Sequence, residues 1–292
     1  MVRGALGSRT RRRQSKLPSP VAALRQLRHG PLKPLDPLWL VLGRLYRATL
    51  RVAPAGPVSQ RIGTYGPFKM NPTFAFSDFA HWGGGPNRGF AACIERCRDK
   101  HCVLDVGAHV GLVTLPASGV MAAGGRLYAF EPAAANARML EEHLRLNRID
   151  NVELVAALVG ARESEAVTFY EDDEPTGLNS VAAGDKRAGF AQTRRRQVSL
   201  DGFCLARGLS PEVIKIDVEG GEMDVLEGAR TILLRHRPEI FLSVHPAQIE
   251  ALGQSIEALT DLIDELGYDC HDIEGGPTGA LGADEYLLLP RH

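Results

Sequence analysis

From residue 101 to the end, short apolar runs alternate with stretches in which apolar positions recur at helical spacing. The pattern predicts strands over 101–108, 126–131, 152–159, 213–218 and 239–244. Helices are predicted near 112–122 and over 133–147, 222–234 and 248–266. Segments 167–170 and 196–200 are expected to pair across a polar loop, and strands at 268–273 and 285–289 flank a turn holding Gly275, Gly276, Gly279 and Gly282. Alternation of this kind implies an α/β fold, a mostly parallel sheet with helices on both faces. The last two strands have no helix between them, which implies an antiparallel strand at or near the end.

Ahead of this region, residues 37–52 read as a helix with Leu38, Leu42, Leu45 and Val52 on one side and Arg44, Arg47 and Arg51 on another. No uncharged span approaches the ~20 residues of a transmembrane helix. The apolar side is expected to pack on the domain or on a second copy in a homo-oligomer, or else to make peripheral contact with an anionic membrane. Residues 53–90, rich in Gly, Pro and aromatics, suit a lid or a connector. Residues 1–35 carry Arg11, Arg12, Arg13 and Lys16 and read as a disordered basic tail. The chain thus divides into a tail (1–35), a helix and cap region (36–100) and a main domain (101–292).

Charge sharpens this division. A net charge of −1 conceals +14 over residues 1–100 and −15 over the rest. The acidic domain offers no groove for a nucleic-acid backbone, so no nucleic-acid partner is expected. Cys93, Cys97, Cys102, Cys204 and Cys270 form no even disulfide framework and read as free thiols of a reducing, cytoplasmic compartment. The C-x3-C-x4-C spacing matches neither an iron–sulfur motif nor a paired zinc set, and no metal is expected.

The candidate chemistry gathers at strand ends. The stretch HCVLDVGAHVG (101–111) is an apolar strand running into a glycine turn, with Asp105 near its end. In open sheets of this type ligands bind outside the carboxyl ends of the strands. Four ends carry polar groups here: 105–111, Glu131 with Pro132, 217–220, and His245 with Pro246. All four are expected to face one cleft. A dinucleotide loop would read G-x-G-x-x-G, whereas this one reads D-x-G-x-x-x-G with a carboxylate beside it. S-adenosylmethionine suits it better, with its ammonium near Asp105, its carboxylate at the following helix N-terminus, and its ribose hydroxyls on Glu131. Glu131 would serve a nicotinamide dinucleotide equally, so the spelling of the loop makes the choice.

DVGAHVG, then FEP, VSLDGF, VIKIDVEGGEMDVLEGA and a strand ending in His-Pro resembles the FkbM family of methyltransferases over residues 101–246. The resemblance implies the seven-stranded Rossmann-like fold of class I methyltransferases, S-adenosylmethionine as cofactor, and a hydroxyl of a sugar, glycan or secondary metabolite as acceptor. It implies cofactor contacts from Asp105, Gly107, Gly111 and Glu131. His109 stands in the loop where the family commonly has Asn, and an imidazole there is expected to titrate near neutral pH.

An acceptor hydroxyl must be aligned and must lose its proton. Asp217 and Glu219, two apart, are expected on one face of an extended chain, with His245 on the next strand end. Glu219 or His245 is the expected base, and Asp217 the orienting group. Asn179 and Ser180 either line the acceptor site or form a turn, and Lys215 is expected to point away from the cleft. The alternatives are a nicotinamide-dependent oxidoreductase and a non-catalytic binding module built on the same fold.

Overall fold

The computed structural model describes residues 24–25, 27–28, 36–181, 190–278 and 280–291. Most of the basic tail expected over 1–35 lies outside the described residues. The chain forms two compact units. Among the described residues, the first contains those up to Ala55 with Thr73–Asp78, and the second Gly56–Pro72 with those from Phe79 onward.

In the first unit, helix α1 (Asp36–Val52) covers the predicted 37–52. It buries Trp39, and the Arg28 guanidinium lies 5.9 Å from the centre of that ring. Tyr46 meets Phe76 edge to face at 5.0 Å. Leu42, Leu45 and Val52, expected on a packed side, are 42, 58 and 85% exposed. Among the described residues no helix is long and apolar enough to cross a membrane.

The second unit begins with hairpin β1 (Val58–Ile62) and β2 (Tyr65–Met70) and helix α2 (Phe90–Arg96). Its centre is a seven-stranded sheet. Parallel strands β3 (Cys102–Val106), β4 (Arg126–Phe130), β5 (Val152–Val155), β9 (Val213–Ile216) and β10 (Glu239–Ser243) are completed by β11 (Tyr268–His271) and β12 (Glu285–Pro290). The order is β11-β12-β10-β9-β3-β4-β5, with β12 antiparallel to both neighbours. β12 therefore enters the sheet ahead of β11, so the antiparallel strand is one in from the edge. Helices cover both faces, and buried parallel strands read as the near-continuous apolar runs seen in the sequence. Leu104, Val106, Ile214, Ile216, Ile240 and Leu242 join one buried core.

Several predicted elements are interrupted, and neighbouring chain explains most of the breaks. The single strand expected over 152–159 divides into β5 and β6 (Leu158–Val159). β6 joins a separate three-stranded sheet with β7 (Ser164–Glu171) and β8 (Ala191–Val198). β7 and β8 pair antiparallel as expected, with Val167 opposite Arg195, but Leu200 opens helix α5 (Leu200–Arg207). The helix over 222–234 becomes α6 (Glu222–Glu227) and α7 (Arg230–His236). A Cβ at Gly228 would lie 2.1 Å from the Gly160 carbonyl oxygen, so the chain there is pressed against another loop. VSLDGF serves this junction. Ser199 caps α5 by accepting from Gly202 N, and Asp201 accepts from Thr231 N and Ile232 N at the start of α7. The helix over 248–266 becomes α8 (Pro246–Ala251) and α9 (Ile256–Glu265), divided at Gly253 (φ +77°) and restarted by Ser255, which caps Ala258 N. Between β3 and β4 the expected helix shortens to α3 (Thr114–Ser118), and α4 (Ala134–Asn147) follows β4.

Candidate functional site

The strand order reverses at β3, whose neighbours β4 and β9 lead in opposite directions. A crevice opens there at the carboxyl ends. A cavity of about 470 Å³ occupies it, within the range of small-molecule sites. All four expected tips line it: Asp105–His109, Glu131 with Pro132, Asp217–Glu219, and His245. Trp82 and Asn87 from the cap region also contribute, as do Thr176 and Asn179 from the polar loop.

One part of the wall is the glycine loop. A Cβ on Gly107 (φ +88°) would lie 1.8 Å from the Asp217 carbonyl oxygen, so the loop after β3 is packed directly on the loop after β9. Asp105 is 2% exposed, and its Oδ2 accepts from Thr114 Oγ1 at 2.6 Å. Burial pushes its carboxyl up to about 6, against the Thr114 hydrogen bond and the charge of Lys215. Glu131 is also buried. It accepts from His109 N at 2.7 Å, Ala133 N at 2.9 Å and Asn136 Nδ2 at 3.3 Å, while burial raises it to about 7. These donors occupy three of roughly four acceptor positions on a carboxylate, leaving about one open.

The loop's own N–H groups are engaged internally. Gly107 N and Ala108 N both donate to the Phe130 carbonyl at 3.0 Å, His109 N to Glu131, and Gly111 N to Ala108 O. The anion site expected at the helix start is therefore not presented by these groups, and α3 begins only at Thr114. His109 adopts φ 51°, the left-handed region that Asn tolerates better than most residues. Its Nε2 is buried without a hydrogen-bond partner. Burial lowers its pKa to about 4, so it stays neutral rather than titrating near neutrality as the sequence suggested.

Beside the loop, the tips of β9 and β10 converge. His245 Nε2 lies 3.7 Å from Asp217 Oδ1 and 3.6 Å from Glu219 Oε1. Its Nδ1 lies 2.6 Å from Oε1 of Glu222, a carboxylate with no solvent exposure. Asp217 and Glu219 reach His245 not from one extended strand but because β9 ends at Ile216 and Glu219 turns to φ 52°. Burial opposes a charge on His245. The Glu222 hydrogen bond and the nearby charges of Glu219 and Asp217 outweigh it and raise His245 to about 9. Burial raises the Glu219 carboxyl. For Asp217, burial is outweighed chiefly by Lys215, which lowers it.

Lys215 corrects the sequence reading. It lines the cavity, and its Nζ meets Asp217 Oδ2 at 3.2 Å, Ser243 Oγ at 2.6 Å and Glu285 Oε1 at 3.5 Å. Period two along the strand places it with Asp217, and that signal was available in the sequence. Ser243, Glu285 and Gln248 were not marked by any local pattern. Asn179 lines the cavity, and Ser180 Oγ donates to the Glu219 carbonyl at 2.8 Å, joining the polar loop to the acidic tip.

A seven-stranded sheet in this order, with acidic tips on its central strands, is the Rossmann-like fold of the methyltransferases. The model of the methyltransferase FkbM domain matches residues 105–270, more than half of the chain, and the chain belongs to that family. AMB antimetabolite synthetase AmbE of Pseudomonas aeruginosa is 29% identical over 201 residues, covering 57% of this chain and 9% of that protein. Methyltransferase 1 of Beauveria bassiana is 28% identical over 164 residues, covering 46% of this chain and 63% of that protein. The chain thus spans less than two thirds of either curated relative. Among solved structures, the methyltransferase FkbM of Methylobacillus flagellatus is 20% identical, with a TM-score of 0.44 over 66% of this chain and 44% of that one.

Proposed function

We propose that the protein transfers a methyl group from S-adenosylmethionine to a hydroxyl of a small-molecule or glycan acceptor. The observation that carries this reading is one cavity lined both by a buried carboxylate pair, Asp105 and Glu131, and by the Asp217–Glu219–His245 cluster. The residues fit the cofactor. Asp105 offers a carboxylate to an ammonium, Glu131 an acceptor position to a ribose hydroxyl, and His109 an unpartnered Nε2. Leu112, Phe130, Leu158 and Phe169 supply apolar wall for a heteroaromatic ring. A nicotinamide dinucleotide fits less well, because four N–H groups of the loop that would cradle its pyrophosphate are already bonded within the chain.

When bound, the cofactor supplies an electrophilic methyl group on a sulfonium. The chain's part is to hold the acceptor in line and to remove its proton. At neutral pH His245 already carries a proton, so it aligns and compensates charge rather than accepting one. Glu219 is the carboxylate left to take the hydroxyl's proton, and Asp217, tied to Lys215, orients the acceptor. Glu219 would take the proton while the aligned acceptor oxygen receives the methyl of the bound sulfonium, which keeps the carbon–sulfur electron pair.

The test pairs calorimetric titration of S-adenosylmethionine with methyl transfer to a panel of hydroxylated acceptors. Glu219→Gln is expected to keep cofactor affinity and to lose at least a hundredfold in transfer rate. Binding of NAD but not S-adenosylmethionine would favour the oxidoreductase. Transfer at background level in both proteins would favour a binding module.

A further inference from the structure

The Asp217–Glu219–His245 cluster has a feature that proton removal does not require. Each side chain has one polar atom anchored by a neighbour and a second that lies within 4.8 Å of those of the other two. Asp217 Oδ2 receives Lys215 Nζ at 3.2 Å, and Glu219 Oε2 receives Gln248 Nε2 at 3.1 Å. His245 Nδ1 meets Glu222 Oε1 at 2.6 Å. The remaining atoms, Asp217 Oδ1, Glu219 Oε1 and His245 Nε2, face one another, with Nε2 3.7 and 3.6 Å from the two oxygens. One potential ligand atom from each residue lies within 4.8 Å of the others. Adjacent ligands of an octahedral Mg2+ or Mn2+ stand about 3 Å apart, so each of the two separations from Nε2 closes to ligand spacing with a shift of less than ~1 Å.

A separate observation points to a positive charge. Glu222 is wholly buried, and its Oε2 has no hydrogen-bond partner. Its other oxygen takes Gly220 N at 3.1 Å besides His245 Nδ1. A carboxylate buried behind an imidazole fixes the tautomer that exposes the far nitrogen, and it is stabilised when that nitrogen holds a cation. This corner brings together Asp217, Glu219, Glu222 and, behind Lys215, Glu285, with Lys215 and His245 as the cationic groups in contact with them. A sulfonium adds one positive charge, and the carboxylates still outnumber their partners.

We propose that Asp217, Glu219 and His245 bind a divalent cation of the Mn2+ or Mg2+ kind, the ion displacing the proton on His245 Nε2 to solvent, and that the acceptor hydroxyl completes its coordination. Two carboxylates suit these hard ions, and a single imidazole is compatible with Mn2+. The sequence expectation of no metal rested on the cysteines, and these three ligands come from two separate strand ends with no motif spacing to announce them. The acceptor's part rests on the methyl-transfer reading, whereas binding of the ion does not. With the ion in place, Glu219 acts as a ligand instead of the proton acceptor. The acceptor O–H, acidified by the metal, gives its proton to water, and its oxygen lone pair closes on the methyl carbon as the carbon–sulfur pair returns to sulfur.

The test is titration of chelator-treated full chain with MnCl2, followed by the loss of the free-ion electron paramagnetic resonance signal. S-adenosylmethionine affinity is measured on the same samples. One ion per chain is expected, with affinity reduced at least tenfold in Asp217→Asn, His245→Gln and Glu222→Gln and unchanged in the surface variant Asp261→Asn. A Mn2+-dependent rise in the wild-type melting temperature provides a readout if a variant folds poorly. Absence of saturable binding, equal binding in the site variants, or transfer unaffected by chelation would overturn the proposal. Mn2+ binding without cofactor binding would keep the metal site and defeat the methyl-transfer reading.

Discussion

Replacing Lys215 by Met tests whether the buried ion cluster beneath the tips of β9 and β10 holds those tips together. Met preserves the length and most of the volume of the side chain, so the change isolates the charge. Lys215 is 4% exposed and Glu285 6% exposed, and the two meet at 3.5 Å. Their charges raise the lysine's pKa above its ordinary value despite burial, because Asp217 and Glu285 together outweigh desolvation. After the substitution Glu285 keeps the Gly89 amide at 2.7 Å but loses its counter-charge. Removing one partner of a buried pair costs about 3–5 kcal/mol, far more than the pair's net contribution, because the other charge is left uncompensated. Asp217, with a side chain 36% exposed, is hydrated and adds little to this cost. The expected loss is therefore about 3 kcal/mol, or on the order of 10 °C in Tm for a domain of this size. Urea unfolding followed by far-UV circular dichroism, with refolding confirmed, measures it. The charge argument further requires that Lys215→Met with Glu285→Gln recover at least half of the loss. A single-variant loss below about 1 kcal/mol, or a double variant no more stable than the single, would refute the reasoning.

Asp105→Ala is expected to abolish S-adenosylmethionine binding in calorimetry with the fold retained by circular dichroism, and unchanged affinity would defeat the cofactor assignment. Asp105→Asn should separate binding from stability. The folded carboxyl is raised from 3.8 to about 6, so its stabilising protonated form is fully present below about pH 4 and lost as pH rises through 6. The Asn variant should then exceed wild type by about 2–3 kcal/mol at pH 8 and by little at pH 4, read from urea melts at the two values. His109→Asn should bind the cofactor equally well or more tightly, because the Asn amide still offers the cofactor a polar group and accepts the left-handed backbone more readily. A tenfold loss of affinity would instead show that the imidazole itself contacts the cofactor.

What the sequence determined by itself is what short-range pattern can encode. Strands buried on both faces, such as β3 and β9, read as apolar runs because every side chain in them must leave water. The residues that line the cleft, Asp105, Glu131, Asp217, Glu219 and His245, sit where each run stops, so their common location follows from the parallel order of the strands. Lys215 belonged to that reading as well, since it lies two positions before Asp217.

Tertiary structure decided whatever depends on approach between distant segments. Gly228 interrupts a helical pattern because the Gly160 carbonyl occupies the space a side chain would need, and residues 152–159 divide because the second half pairs with β8. The loop after β3 lost its expected anion site because Phe130 and Glu131 on the next strand take its N–H groups. The three groups around His245 meet only because β9 and β10 pair with Ile216 opposite Leu242, which places two strand ends side by side. Register across a sheet is a property of pairs of segments and leaves no mark in either one. That is why the carboxylates could be named from the chain, whereas the geometry that gathers them around His245 could not.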